Sequence, residues 1–208
     1  MSNNVSVIEP KKRFDWQDLK EIYEYRELLF FFAWRDLKVR YKQTAIGISW
    51  ALLQPLLIMI IFSLFFGRVL HVPSNNIPYP IFVYTGILFW QFFSSSLSSS
   101  SNSLIENSNI ITKVKFPSSL LPISSILVHL VDLGIGFIIL IAMMAFYKIL
   151  PSFSIFYILP LLALPLLATT IGAGLFLSAV NVKYRDVIYA LPFFIQLLLF
   201  ITPVIYPT

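Results

Sequence analysis

The feature that most constrains this sequence is a run of 24 residues, 44–67, that contains no charged side chain. As a helix rising about 1.5 Å per residue, the run would extend about 36 Å, enough to cross a hydrocarbon core about 30 Å thick. Pro55 lies in its interior beside Gln54, and a proline in a spanning helix is tolerated where neighbouring groups satisfy the freed carbonyl. The run therefore predicts a membrane-spanning helix over about 44–66.

The stretch before this run combines aromatic and basic residues at helical spacing. Apolar side chains recur at i, i+4, i+7 and i+11: Phe30, Trp34, Leu37 and Tyr41. Basic side chains repeat on another face: Arg35, Lys38 and Lys42. This pattern is typical of a helix lying in the membrane surface. The alternative is a soluble amphipathic helix followed by a buried core helix, which the repetition of apolar runs downstream disfavours.

Composition extends the membrane interpretation to the whole chain. Among 208 residues, 58% are hydrophobic and only 12% are charged, against about 25% charged in an average soluble domain. We predict an all-α, polytopic membrane protein with a cytoplasmic tail and interfacial amphipathic helix over 1–43 and a transmembrane domain over 44–208. Five spans are expected, at about 44–66, 81–101, 120–146, 156–180 and 187–208. The longest polar interruption, 102–119, predicts a loop containing a short amphipathic helix.

Lysine and arginine counts predict the orientation. Residues 1–43 contain nine of them, and the 102–119 and 181–186 loops contain two each, whereas the intervening loops contain only Arg68 and Lys148. The positive-inside rule then places the N-terminus, the 102–119 loop and the 181–186 loop in the cytoplasm. The net charge of +5 faces anionic lipid headgroups, so nucleic acid is not an expected partner.

Three polar side chains are predicted at membrane depth: Gln54, His129 and Asp132. His129 and Asp132 are three residues apart and share a helix face. An intramembrane carboxylate is a candidate for function, here transport or a proton relay. The alternatives are a hydrogen-bonded aspartate joining two helices, or a position nearer the membrane surface.

The second predicted span begins with aromatic residues and ends with serines. Eight of the ten residues at 94–103 are serine. Some of these rings and hydroxyls could line a path for a polar solute. The alternative is tight helix packing with an ordinary aromatic belt. The transport-path candidates are Tyr84, Phe89, Trp90, Phe93 and Tyr206.

The sequence contains no pattern for enzymatic chemistry. It has no cysteine, and it has no phosphate-binding loop, zinc-protease, nucleophile-elbow or nicotinamide fingerprint. Two histidines, His71 and His129, do not form a convincing metal site. We therefore expect no catalytic residue, cofactor or metal in this chain, and any energy for transport must come from a partner or an ion gradient.

Three segments together resemble a known family. They are WRDLKVRYKQTAIGISWALLQPL (34–56), KVKFPSSLLPISSIL (113–127) and NVKYRDVIYALPFFIQLLLFITPVIYP (181–207). In order and spacing they resemble the ABC-2 permeases that export O-antigen, teichoic acid and capsular polysaccharide. The resemblance implies a homodimer in the cytoplasmic membrane, paired with two copies of an ATP-binding subunit that hold ATP and magnesium, and a lipid-linked glycan as cargo.

The resemblance also implies roles for particular segments. The loop between the second and third spans would couple to the ATPase through Leu104, Ile105, Glu106, Asn107 and Ile110. The gate where the chain enters the membrane would include Arg35, Lys38, Arg40 and Lys42. The family has six spans, whereas this sequence reaches Thr208 with five, so we expect that the final helix is missing. Alternative functions are an ABC-2 exporter of a drug, haem or another lipid, an ion-coupled carrier using Asp132, or a membrane scaffold.

Overall fold

The computed structural model of this chain describes residues 16–42, 48–69, 77–149 and 151–202. Every regular element in these ranges is helical, which confirms the all-α prediction for them. The eight α-helices are α1 (Trp16–Glu24), α2 (Arg26–Lys42), α3 (Ile48–Phe62), α4 (Tyr79–Glu106), α5 (Ser108–Ile111), α6 (Leu120–Phe146), α7 (Ile155–Lys183) and α8 (Val187–Ile201). A π-helical segment, Ser63–Val69, continues α3.

Three of the described helices, α4, α6 and α7, are long and apolar enough to cross a membrane. Two shorter apolar helical stretches, Leu53–Gly67 and Val187–Ile201, correspond to the first and fifth predicted spans. Helix α8 ends one residue before Thr202, which is extended and precedes Pro203 in the sequence. A residue before proline avoids the helical region, which explains this end of the helix.

Helix α4 is the centre of the fold and packs most extensively against α6 and α7. Its N-terminal half contributes large apolar side chains to the core, where Tyr84 and Leu88 pack with Leu140 of α6. The Tyr84 hydroxyl donates a 3.2 Å hydrogen bond to the carbonyl of Gly136. Gly136 lies directly against Leu88, so the absence of a side chain there allows α4 and α6 to approach closely.

The serine-rich half of α4 packs closely against α7. Ser100 and Ser103 are buried, and their hydroxyls donate to carbonyls three residues earlier, at 3.2 and 2.7 Å. A Cβ added at Gly174 of α7 would lie only 2.6 Å from Ser100 Oγ. Small side chains that satisfy themselves within their own helix allow this contact, as is common between membrane helices.

Two helices continue further than the sequence predicts. Helix α4 extends to Glu106 instead of ending at Ser101, and α7 includes Asn181, which the sequence predicts in a loop. The reason is a contact between them: the buried Asn181 amide donates to the Ser101 carbonyl at 2.8 Å and to the Asn102 side chain at 3.0 Å. The predicted amphipathic helix in the 102–119 loop is accordingly only the four-residue α5.

The N-terminal segment forms two helices instead of one. Helix α1 ends at Glu24, and α2 begins at Arg26. Phe32 is the buried apolar residue of α2, and its ring packs 5.4 Å from that of Phe116. Phe30 and Trp34, which the sequence places on the apolar face, are exposed. The α2 face that contacts the rest of the protein therefore differs from the apolar stripe read from spacing.

Candidate functional site

Asp132 of α6 is the centre of a polar cluster that joins α6 to α2. One carboxylate oxygen lies 2.8 Å from the Arg40 guanidinium, and the other accepts a short hydrogen bond from the Tyr41 hydroxyl. Nδ1 of His129 lies 3.2 Å from the same carboxylate. Because an isolated charge inside a protein is costly, the arginine compensates the aspartate, and the pair holds the two helices together.

His129 is 5% exposed, and neighbours surround both of its ring nitrogens. Nε2 lies 2.8 Å from Ser99 Oγ, and Nδ1 lies 3.0 Å from Arg40 Nη1 as well as close to Asp132. Arginine only donates hydrogen bonds, so Nδ1 accepts from Arg40 when it carries no proton and donates to Asp132 when it does. The location of one proton therefore decides which neighbour the imidazole bonds.

Tyr41 belongs to α2, ahead of the first predicted span. The groups around its phenol hydroxyl keep that hydroxyl protonated. Burial raises the pKa of Tyr41, and the hydrogen bond to Asp132 and the negative charge of Asp132 raise it further, against a smaller opposing effect of Arg40. The hydroxyl therefore remains a donor to Asp132 throughout the physiological pH range.

A second polar contact joins α2 to the junction between α4 and α5. Arg35 Nη2 donates to the Asn107 side-chain oxygen at 2.8 Å, while the Asn107 amide donates back to the Ser103 carbonyl at 2.9 Å. Arg35 also bonds Asp36 and lies over the Phe32 ring at 5.1 Å. Asn107, where α4 ends, is therefore fixed to the interior side of α2.

The other residues predicted for the coupling segment lie on either side of Asn107. Leu104, Ile105 and Glu106 form the last turn of α4, and Ile110 lies on α5. Glu106 is exposed, whereas Leu104, Ile105 and Ile110 are half-buried. The segment is thus a helix end and a short helix, separated by Asn107.

The side chains predicted to form a gate do not lie together but make separate contacts. Arg40 belongs to the Asp132 cluster, and Arg35 contacts Asn107. The Lys38 ammonium lies 5.2 Å from the centre of the Trp34 ring on the outer side of α2, and Lys42 is exposed at the end of that helix. Gln54, the third residue predicted at membrane depth, is half-buried on α3, beside the buried Pro55.

An apolar groove of about 750 Å³ lies between α4, α7 and α8. Three of the predicted transport-path residues, Phe89, Trp90 and Phe93, line it together with Leu166 and Leu198. Tyr84 does not reach the groove, because it is fully buried against α6. Tyr206 lies outside the described residues.

Sequence reasoning assigned Arg40 to the gate and Tyr41 to an apolar stripe, and it missed that both contact Asp132. Tyr41 and Asp132 are 91 residues apart, so no local spacing connects them. The available signal was chemical: a single acid deep in apolar sequence requires a compensating cation, and basic residues are concentrated in the N-terminal segment.

Three apolar helices have spanning length, and the serine-rich α4 is the central one of them. Together with the charged cluster that joins α6 to the basic helix α2, they define a polytopic α-helical membrane protein. Residues 27–208 match the family model described as ABC-2 type transporter. The chain belongs to the ABC-2 type transporter family, whose permeases work with an ATP-binding subunit.

Similar proteins cover most of the chain. It is 31% identical over 190 residues to the O-antigen export system permease protein RfbA of Myxococcus xanthus, a match that includes 91% of this chain and 72% of that protein. It is also 33% identical over 184 residues to an O-antigen export system permease protein RfbA of Klebsiella pneumoniae, with 86% of this chain and 69% of that protein covered.

Proposed function

We propose that this chain is the membrane permease subunit of an ATP-driven exporter that moves lipid-linked polysaccharide across the cytoplasmic membrane. The observation that carries the proposal is that relatives aligned with 86–91% of the chain are O-antigen export permeases. The polymer crosses by passing through the permease without any covalent step, so this chain needs no catalytic group. The ATP-binding subunit holds ATP and magnesium and hydrolyses the nucleotide.

The aromatic groove supports a carbohydrate cargo. The Trp90 and Phe93 rings are 5.9 Å apart along one wall, and Phe89 lies beside them. Aromatic faces bind the apolar faces of sugar rings through weak contacts that exchange readily. Weak contacts suit a polymer, because a tight site would stop its movement.

The contacts of α2 support a route for coupling. The ATP-binding subunit would dock on the segment formed by the last turn of α4 and by α5, where Glu106 is exposed. Movement of that segment would reach α2 through Arg35 and Asn107, and α6 through Arg40 and Asp132. Two ATP-binding subunits and two permeases would form the transporter, with the N-terminus and the coupling segment in the cytoplasm.

The exposed faces of α7 and α8 support a permease dimer. Phe176 of α7 is 68% exposed and Phe193 of α8 is 62% exposed, although both helices are strongly apolar. Large exposed apolar faces need lipid or another protein surface against them. A second copy of the permease would cover part of this surface. It would also supply the wall of the glycan path that a single copy lacks.

The contacts of Asp132 do not favour the ion-coupled alternative. An ion carrier needs a carboxylate that exchanges its partner, whereas Asp132 is engaged by Arg40, Tyr41 and His129 together. These contacts favour a structural role within an ATP-driven permease. An ABC-2 exporter of a drug or another lipid would share the same helices and differ in its cargo.

Reconstitution tests the proposal directly. The permease and its ATP-binding subunit would be placed in proteoliposomes together with the lipid-linked polysaccharide, and transfer of the glycan across the bilayer would be measured with a glycan-cleaving enzyme added on one side. ATP should move the glycan, and a hydrolysis-deficient ATP-binding subunit should not. Equal movement in both preparations, or transport of unrelated lipids alone, would contradict the proposal.

A further inference from the structure

A polar cleft of about 370 Å³, distinct from the aromatic groove, lies between α2, α4 and α6. Its volume is within the range of small-molecule sites, about 300–1,000 Å³. Residues from all three helices line it: Asp36, Val39, Ser98, Asn102, Glu106 and Val128. Arg40, Ser99 and His129 also border the cleft, so the Asp132 cluster forms one side of it.

The cationic groups around the cleft are already engaged. Arg40 is bound to Asp132 at 2.8 Å, Arg35 is bound to Asp36 at 2.7 Å, and the His129 ring contacts Ser99, Arg40 and Asp132. The cleft itself adds the carboxylates of Asp36 and Glu106. This charge distribution disfavours phosphate, which binds where arginine or lysine side chains can contact it.

The remaining polar groups suit a ligand rich in hydroxyls. The Ser98 hydroxyl and the Glu106 carboxylate have no partner among the described residues. Asn102 accepts a hydrogen bond from Asn181 through its side-chain oxygen, which leaves its amide NH₂ able to donate. A hydroxyl group of a bound sugar can donate to Glu106 and accept from Asn102. The C–H face of the sugar ring can contact Val39 and Val128.

The cleft and the aromatic groove lie at successive levels of α4 but on different faces of it, the groove toward α7 and α8 and the cleft toward α2 and α6. On α4 the groove is lined as far as Phe93, and the cleft begins at Ser98, five residues later, and continues to Glu106. At about 1.5 Å per residue this separation is about 7.5 Å. Along α4, a sugar held in the cleft is therefore closer to the coupling segment than the groove is.

We propose that this cleft binds sugar residues of the exported glycan on the cytoplasmic side before they enter the path across the membrane. The proposal rests on the function proposed above and deepens it. It assigns recognition to the hydroxyl groups of the glycan, and it excludes the diphosphate of the lipid carrier as the group bound at this position.

The absence of cysteine from the natural sequence allows a direct test. Single cysteines would be introduced as Ser98→Cys on the α4 wall and as Val39→Cys on the α2 wall of the cleft. Glu27→Cys, exposed near the start of α2 and outside the cleft, is the matched control. Each variant would be assembled with the ATP-binding subunit in proteoliposomes, and its alkylation by a small maleimide would be timed.

Three ligands separate the sugar from its carrier: the complete lipid-linked glycan, the same glycan released from its diphosphate, and polyprenyl diphosphate without sugar. The first two should slow alkylation at both cleft positions by about threefold when supplied at about twice Kd, because the reactive fraction falls as 1/(1 + [L]/Kd). Polyprenyl diphosphate should leave the rates unchanged, and Glu27→Cys should react equally in every case.

Two outcomes would overturn this proposal: protection by polyprenyl diphosphate alone, or no protection by either glycan. ATP-dependent glycan export measured in the same proteoliposomes distinguishes a failure of the cleft proposal from a failure of the proposed function. Export without protection contradicts only the cleft, whereas absence of export by the unmodified transporter contradicts the proposed function itself. Two reporters on opposite walls ensure that the misfolding of one variant does not decide the result.

Discussion

The Arg40 guanidinium of α2 lies 2.8 Å from the Asp132 carboxylate of α6, and this ion pair connects the N-terminal segment to a membrane-spanning helix. The Asp132 side chain is 19% exposed and that of Arg40 is 42% exposed, so the protein does not fully enclose the pair. The contact is therefore weaker than a fully buried pair, but removing one partner still leaves the other charge poorly solvated.

The pair predicts a non-additive effect on stability. Asp132→Asn or Arg40→Gln alone should lower the free energy of unfolding by about 1–2 kcal/mol, below the 3–5 kcal/mol typical of a fully buried pair because Arg40 is partly solvated. The double variant should lose less than the sum of the two, since neither charge then remains alone. Thermal unfolding of the purified permease in detergent measures both effects. Additive losses would contradict the pairing.

Tyr41 predicts a loss of stability at alkaline pH. Its pKa in the folded protein is raised above the ordinary value of about 10 by burial and by Asp132. Its contribution to stability is therefore complete below about pH 10 and is lost as pH rises toward the folded pKa, because only the unfolded chain releases the proton in that interval. Melting temperatures should fall less steeply above about pH 10 in Tyr41→Phe than in the unmodified protein. Parallel curves would contradict this assignment.

The hydrogen bond between Arg35 and Asn107 predicts a defect in coupling. Asn107→Ala should reduce the glycan exported per ATP hydrolysed, because a hydrogen bond to a charged group, of about 1.5–3 kcal/mol, no longer fixes α2 to the end of α4. Lys38→Gln is the matched control, since Lys38 is exposed on the same helix as Arg35 and its ammonium lies 5.2 Å from the centre of the Trp34 ring. Simultaneous assays of ATP hydrolysis and export measure the ratio. An unchanged ratio in Asn107→Ala would contradict a role of the Arg35–Asn107 hydrogen bond in coupling.

Two glycines of α7 predict opposite results for the same substitution. Gly174→Ala places a methyl group 2.6 Å from Ser100 Oγ and should destabilise the α4–α7 contact by about 1–3 kcal/mol. Apart from the backbone of its own helix, no atom of the described residues lies within 4 Å of a Cβ added at Gly172. The higher helix propensity of alanine in Gly172→Ala should therefore leave stability unchanged or raise it by up to about 1 kcal/mol. Melting temperatures of the two variants test the packing. Equal effects would contradict the close approach at Gly174.

The spans that were easiest to predict are those with abrupt boundaries in composition. The predicted third span coincides with α6, Leu120–Phe146, because an apolar run with Asp132 as its one charged residue lies between Pro117 and Lys148. The end of α4 was harder, because Asn102 and the serines around it read as the start of a loop. The bond from the Asn181 side chain to the Ser101 carbonyl stabilises that end, and a pairing over 80 residues leaves no periodic signal.

The sequence predicted several of the residues that belong to the candidate site, but it did not predict which of them contact one another. Asp132, His129 and the basic residues of α2 were all recognised as unusual, and so were the aromatic residues of α4. Their partners depend on how α2 lies across α6, which hydrophobic spacing did not reveal: Phe32 faces the protein, whereas Phe30 and Trp34 are exposed. Tyr84 shows the same limit, since its chemistry suits a path but its position is in the core.

The most direct test of the central claim is the location of the polysaccharide in cells that lack this gene and retain the enzymes of its biosynthesis. Cells would be fractionated, and lipid-linked glycan would be stained on each side of the cytoplasmic membrane. We expect full-length or overlong glycan on the inner side, with surface glycan restored by the intact gene. Unchanged surface glycan in the deletion strain would contradict polysaccharide export and would leave an ABC-2 exporter of another amphiphile.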